Sequence, residues 1–330
     1  MTRRYRAALA GYYGFGNLGD ELLLRASLEA LERCGVGRER VVVLSGDPVG
    51  TSRLEVAAIS RWSLGDVRRA LSQSDTLLLG GGGLFQDSTS LRSCLWYWGL
   101  VRLARLCGAR PWALGQSIGP LNHPAARWLA RDALGSCGVL QLRDAPSMDW
   151  AARLGLRAVP GEDLALTLPV PEARDGARDG GTLLFNLRPC EGVQRFVELA
   201  APRVNAFDGE VVGVALSAED AELLEDAERE GRLRLSRVVL VRGMGDVAPL
   251  WAGASQAVGM RLHFAVLSAL YGTPLAVWPY DPKVAAFAER SGAAACVGER
   301  WVEPLRPRLP IPREELRAGV DGLCRLALGE

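Results

Sequence analysis

Short apolar runs, many of them β-branched, recur along the chain with a helix-length interval after most of them, and this rhythm restricts the fold more than any other feature. Tyr5–Gly11, Val41–Ser45, Thr76–Leu79, Pro111–Gly115 and Val139–Leu142 have the continuous apolar character of strands buried on both faces. Helical patterns at Asp20–Arg33, Leu91–Cys107 and His123–Leu134 are interleaved with them, which predicts repeated β-α units around a mostly parallel sheet. The rhythm stops at Pro169–Gly181, where PVPEARDGARDGG combines proline, glycine and charge without apolar periodicity and reads as an exposed linker.

Beyond that break the pattern resumes. Strands are expected at Thr182–Leu187, Val211–Leu216, Val238–Val241, Gln256–Gly259 and Pro274–Trp278, with helices near Val193–Ala201, Glu219–Glu230, His263–Tyr271 and Pro282–Arg290. The last segment, Pro312–Leu328, carries Leu316, Val320, Leu323 and Leu326 at helical spacing and would pack one face on either domain. The expected fold is α/β: two Rossmann-like domains, residues 1–170 and 181–330, joined by a linker at about 169–181, with a ligand cleft between the carboxyl ends of both sheets. A length of 330 residues agrees with two domains at about 150 residues each.

Composition narrows the partners. Thirty-nine basic against 38 acidic residues leave a formal charge of +1, so no whole-protein field attracts nucleic acid, and an anion site has to be local. Lys283 is the only lysine, which singles it out as a position where a compact, flexible ammonium is wanted. The seven cysteines show no CxxC or Cys/His spacing and read as reduced core thiols of a cytoplasmic protein. The basic start at Arg3 and Arg4 leads into an apolar stretch too short for a secretory signal. The most membrane-like stretch, Ser93–Ala109, is interrupted by Arg102 and Arg105 and falls short of the roughly 20 apolar residues needed to span a bilayer.

Chemistry-bearing residues collect at the strand ends. Gly11–Glu21 (GYYGFGNLGDE) follows the first strand, and Gly14 to Gly19 spell GxGxxG. The acidic pair Asp20-Glu21, at the helix start where a pyrophosphate would sit, argues against a dinucleotide. The loop instead reads as a substrate approach through Gly16 and Asn17, with Asp20 as general base or as a plain helix cap. Gly80–Asp87 (GGGGLFQD) offers Gly82, Gly83 and Gln86 at a second strand end, as a close approach or as a packed crossover turn. Gln116 and Ser117, in GQSIGP, present neutral hydrogen-bonding groups suited to sugar hydroxyls at a third. Arg143 ends another strand and either faces the cleft or closes an internal salt bridge, while Asp144 caps the next helix. Arg188, Arg261, His263 and Lys283 occupy strand-to-helix junctions of the second domain, so an anion pocket of Arg143, Arg261 and Lys283 flanked by His263 and Asp20 is expected. Trp96, Tyr97 and Trp98 are assigned to packing ahead of a sugar platform or a membrane interface. No GxSxG elbow, Walker loop or HExxH occurs, and nothing in the sequence argues for a metal.

Taken together, GYYGFGNLGDE, GGGGLFQD, GQSIGP, LRD (142–144), EDLAL (162–166), GMRLHFAVLSALYGTP (259–274) and YDPK (280–283) resemble the polysaccharide pyruvyl transferase family, in particular its bacterial cell-surface-anchoring branch. The resemblance implies two Rossmann-like domains in a GT-B-like arrangement, the first on the acceptor side and the second on the donor side. It implies transfer of pyruvate from phosphoenolpyruvate to a sugar, N-acetylmannosamine in a lipid-linked cell-wall polysaccharide precursor, as a 4,6-ketal, with phosphate released and no cofactor. By position it assigns Asp20 and His263 to proton transfer, Arg143, Arg261, Lys283 and Arg188 to phosphoenolpyruvate, and Gly16, Asn17, Gly82, Gly83, Gln86, Gln116 and Ser117 to the acceptor. Expected partners are phosphoenolpyruvate, a lipid-linked oligosaccharide and, peripherally, the inner membrane face, with no nucleic acid. A GT-B nucleotide-sugar glycosyltransferase, a non-catalytic sugar-binding module and an NAD enzyme remain as alternatives.

Overall fold

Strands that are apolar on both faces can be buried only if helices cover both sides of the sheet, and the chain meets this requirement twice. The structure, a computed structural model, describes residues 3–88, 90–170, 181–298 and 300–329; residues 171–180 of the expected linker lie outside them. The elements run β1 (Tyr5–Ala10), α1 (Leu18–Arg33), β2 (Val41–Ser45), α2 (Pro48–Ser52), β3 (Ala57–Ser60), α3 (Leu64–Ser72), β4 (Ser74–Leu79), β5 (Gly82–Phe85), α4 (Arg92–Leu106), β6 (Arg110–Ile118), α5 (Pro124–Leu134), β7 (Leu140–Leu142), α6 (Ala145–Leu154) and β8 (Val159–Pro160). They continue with β9 (Thr182–Asn186), α7 (Val193–Asn205), β10 (Glu210–Ala215), α8 (Ala218–Arg229), β11 (Arg237–Leu240), α9 (Met244–Trp251), β12 (Gln256–Gly259), α10 (Leu262–Leu270), β13 (Leu275–Val277), α11 (Pro282–Ser291), β14 (Ala294–Ala295) and α12 (Arg313–Leu328).

Two parallel sheets result. The first has strand order β3-β2-β1-β4-β6-β7-β8 with β5 paired to β6, and the second has β11-β10-β9-β12-β13-β14. Both orders reverse direction once, between β1 and β4 and between β9 and β12, and such switch points are where open α/β sheets leave room for a ligand beyond their carboxyl ends. Adjacent strand ends are in register there: Ala10 lies beside Leu79, and Gly259 beside Asn186. Each strand expected from the sequence is present, and β3, β5, β8 and β14 come in addition, β5 within the stretch expected as a close approach or a packed crossover turn. Its four residues form a strand because Leu84 and Phe85 are buried alongside β6, with Phe85 paired to Ile118.

The chain forms two compact units, Met1–Phe15 with Leu23–Leu168 and Pro312–Glu330, and Gly16–Leu22 with Pro169–Ile311. In the first, Val67 and Leu71 of α3, Tyr97 and Val101 of α4, Leu129 and Ala133 of α5, and Leu154 of α6 share one apolar core with β1, β2, β4, β6 and β7. The last helix, α12, which the sequence allowed on either domain, packs in this unit. Arg33 pairs with Asp321 at 2.9 Å, the Cys34 thiol donates to the Asp321 carbonyl, and Arg317 donates to the Thr167 carbonyl at 2.7 Å. In the second unit Phe185, Phe196, Val211, Leu224 and Val258 form a separate core.

Candidate functional site

Two of the sequence-predicted cations, Arg188 and Arg261, come together beside the switch point of the second sheet. Asn186, fully buried at the end of β9, donates through Nδ2 to the Val214 carbonyl at 2.8 Å and accepts the Arg261 amide through Oδ1 at 2.9 Å. This single side chain ties together the ends of β9, β10 and β12. Arg261 then stands at the N-cap of α10, where an extended backbone turns into the helix. Its Nε and Nη2 grip the carboxylate of Asp220, at 2.9 and 2.6 Å, and Nη2 also reaches Ser217 Oγ at 3.0 Å. Asp220 is fully buried in the first turn of α8 and also accepts the Leu216 amide. The guanidinium is thereby fixed on one edge, and Nη1 takes no part in these bonds.

Arg188, two residues beyond β9, donates to the Tyr280 hydroxyl and lies over its ring at 4.8 Å. Burial pushes the Tyr280 hydroxyl above its ordinary pKa, with the positive charges of Arg188 and Arg261 both pulling the other way. The Cys190 thiol is raised by burial in the same fashion and is opposed by the same two arginines. Both guanidinium charges therefore reach one neighbourhood. Tyr280 precedes Asp281, whose carboxylate caps α11 by accepting the Lys283 amide at 2.9 Å, and Pro282 fills the first helical position. This cap fixes the start of the helix that carries the only lysine.

His263 lies in the first turn of α10 and packs against Gly19. A Cβ placed on Gly19 would sit 2.1 Å from Nδ1 of the imidazole, so only glycine admits the ring there. Asn17 starts α1: its carbonyl accepts the Asp20 and Glu21 amides, its side chain accepts the Gly19 amide, and the Leu18 amide donates to the Leu216 carbonyl at 2.9 Å. The expected residues Gly16, Asn17, Asp20, Arg188, Arg261, His263 and Lys283 thus belong to one unit. The glycine loop serves as the seat of a histidine, with Asp20 the next residue along the helix.

The first-unit residues behave differently. Arg143 is buried, with Nη1 on Asp163 at 2.5 Å and Nε on Ser117 Oγ at 2.7 Å. This is the internal ion pair that was one of the two readings open for Arg143: its guanidinium is held inside the first unit by a buried carboxylate 20 residues further along. Ser117 and Gln116, expected at the acceptor, are both fully buried. Ser117 donates to Asp144 at 2.5 Å, and Gln116 Nε2 bonds the Leu79 and Gly80 carbonyls at 3.1 and 2.7 Å, clamping the end of β4. Asp144 caps α6 through the Ser147 amide as expected.

Gly80 and Gly81 are packing glycines. A Cβ on Gly80 would lie 1.9 Å from the Tyr13 hydroxyl, and one on Gly81 would lie 2.9 Å from Leu23. Gly82 and Gly83 lie in β5, and half-buried Gln86 follows it, its Oε1 accepting the Ser88 amide at 2.9 Å. Sequence reasoning missed Asn186, Ser217, Asp220 and Tyr280. Only Tyr280 carried a signal, through its place beside Asp281-Pro282-Lys283.

Two parallel, doubly wound sheets with cationic groups at a switch point define an α/β protein of the Rossmann-like type found in GT-B glycosyltransferases and nucleotide-sugar epimerases. The chain belongs to the polysaccharide pyruvyl transferase family, whose profile matches residues 17–282. No curated protein matches it in sequence. Among solved structures it is similar in fold to UDP-GlcNAc 2-epimerase from Methanocaldococcus jannaschii, with 10% identity, 96% of this chain and 91% of that chain covered, and a TM-score of 0.57. S. aureus MnaA, solved with UDP, gives 10% identity, coverages of 97% and 88%, and a TM-score of 0.57. Phytolacca americana UGT2, complexed with UDP-2fluoro-glucose and pterostilbene, gives 12%, coverages of 100% and 93%, and 0.50.

Proposed function

We propose that the protein transfers pyruvate from phosphoenolpyruvate to two hydroxyls of one sugar, forming a 4,6-ketal on N-acetylmannosamine of a lipid-linked cell-wall precursor at the cytoplasmic side, a polymer that then anchors surface-layer proteins. The observation that supports this most is the pairing of two guanidiniums, Arg188 and Arg261, at one switch point with a histidine seated on the start of α1. A small anion bearing both phosphate and carboxylate suits such a cluster, because each guanidinium presents a planar fork of donors.

In this reading Arg261, through Nη1, together with Arg188 and Lys283 receives the phosphate and carboxylate. Asn186 and Asp220 hold Arg261 in place before substrate arrives, which removes the entropy of fixing it later. His263 delivers a proton to C3 of the enol, converting the methylene to a methyl group and leaving C2 electrophilic. Asp20 accepts the proton of the first sugar hydroxyl as its oxygen bonds to C2. The C2–O bond to phosphate breaks, the second hydroxyl of the same sugar bonds to C2, and its proton leaves with phosphate. Two hydroxyl protons are lost, one is gained at C3 through the histidine and one departs on phosphate, so no redox cofactor is consumed. Arg143 has no part in donor binding here and positions Ser117 and Asp144.

Incubation with phosphoenolpyruvate and an aryl-tagged N-acetylmannosaminyl disaccharide tests the proposal, with phosphate release and acceptor mass followed together and UDP-sugars as controls. One pyruvate ketal added per phosphate released is the expected result. Turnover of a nucleotide sugar instead, or no stabilisation of the fold by phosphoenolpyruvate, would refute it.

A further inference from the structure

The outer face of α3, α4 and α5 takes no part in the proposed chemistry, yet it combines exposed apolar groups with charge. Arg92, Leu95, Gly99, Arg102 and Leu106 recur along α4 at spacings of three and four, which places them on one side of the helix, opposite the buried Cys94, Tyr97, Val101 and Ala104. Leu95 is 53% and Leu106 85% exposed. Tryptophans flank this stripe. Trp96 meets Trp62 at 5.8 Å on one side, and Trp98 meets Trp128 at 5.7 Å on the other, with Trp62 and Trp128 more than half exposed.

Charge accompanies the apolar groups. The three helices carry seven exposed arginines, at 68, 69, 92, 102, 105, 127 and 131, against two aspartates, a surplus of five positive charges in a chain of formal charge +1. Both aspartates are bound locally: Asp66 to Arg69 and Ser63, and Asp132 to Trp98 and Arg102. A surface that interleaves leucine and tryptophan with arginine, and has no acid anywhere on its central helix, calls for a partner that is apolar and anionic at once. A second copy of the chain fails that test, because an isologous contact would set one positive surplus against another.

We infer that this face is a docking surface for an anionic lipid bilayer, with Trp62, Leu95, Leu106 and Trp128 entering the headgroup boundary and the arginines pairing with lipid phosphates. No described helix is long and apolar enough to cross a membrane, so the attachment is peripheral. The patch reaches the glycine loop, since Phe15 lies 6.4 Å from Trp62, two residues before Asn17. The docking itself does not depend on which reaction is catalysed.

Sedimentation of the full chain with vesicles of phosphatidylcholine, with and without phosphatidylglycerol, tests this apart from turnover. Binding to the anionic vesicles that is lost at high salt is expected, with a blue shift of tryptophan emission. The pair Arg92→Glu and Arg102→Glu is expected to lower partitioning about tenfold or more, and Leu95→Gln with Leu106→Gln to do likewise at unchanged thermal stability. Arg229→Glu with Arg237→Glu, on the second unit, should have no effect. Equal binding by all variants overturns the inference. So does a dimer that the same substitutions dissociate without lipid, or capture of an acidic protein in place of vesicles.

Discussion

Gly19→Ala is the sharpest test of the seat beneath His263. Within a helix, alanine in place of glycine would ordinarily add about 0.5–1 kcal/mol of stability. Here the new methyl would stand 2.1 Å from Nδ1 of the imidazole, and contacts below 3.0 Å do not occur, so the ring must give way by about an ångström. On the proposed role of His263 as proton donor, displacement of the ring by that distance lowers turnover by about 10². The expected variant is folded, with a melting temperature near that of the parent, and impaired by about two orders of magnitude in ketal formation measured by phosphate release. His263→Ala is expected to lose at least as much. The decisive measurement is the double variant. If Gly19 acts only by admitting the ring, Gly19→Ala adds little once the imidazole is gone, giving a coupling of about 2–3 kcal/mol between two sites in contact. Additive losses, or a Gly19→Ala enzyme of normal rate, would refute the reasoning.

Two further outcomes follow from the ion pairs and caps. Asp220→Ala strands the Arg261 guanidinium and is expected to destabilise the protein by about 3 kcal/mol while raising KM for phosphoenolpyruvate, the proposed donor, more than it lowers kcat; a normal KM in a folded variant would separate Asp220 from the proposed donor site. For Asp87, partial burial acts to raise the carboxyl, but amides of Asn122 and His123 bond it and hold its pKa below the ordinary value. A depressed folded-state pKa contributes stability that is present above the unfolded value of about 4 and is lost as pH falls through the folded one. Asp87→Asn is therefore expected to flatten the loss of stability in acid, and an unchanged acid transition would contradict this.

Much of the fold was legible because its determinants are local. Continuous apolar runs mark strands buried on both faces, and Asp144, Asp281 and His123 announce helix starts through side chains that accept amides within three residues. The second-unit cations were legible for the same reason, since a strand end and a helix start can be read from neighbouring residues. Arg143 shows where this stops. Its place at a strand end is as plain as that of Arg261, but both arginines meet buried carboxylates, and the partners lie 20 residues after one and 41 before the other. Asp220 sits in AEDAELLEDAER, which reads as a solvated acidic helix and gives no sign that one of its carboxylates is fully buried.

The sequence by itself determined two β-α arrays, the order of their strands' apolar character, and which strand ends carry glycine, arginine, histidine and lysine, because periodicity and capping are decided within a few residues. Tertiary structure alone decided which of those groups are spent internally. Gln116, Ser117 and Arg143 are drawn into the interior by carbonyls and carboxylates far away in the chain, since a buried polar group must be bonded. Arg261 is gripped on one edge and keeps its remaining nitrogen out of that grip, and Gly19, the last glycine of the GxGxxG loop in the sequence, becomes the floor beneath a histidine.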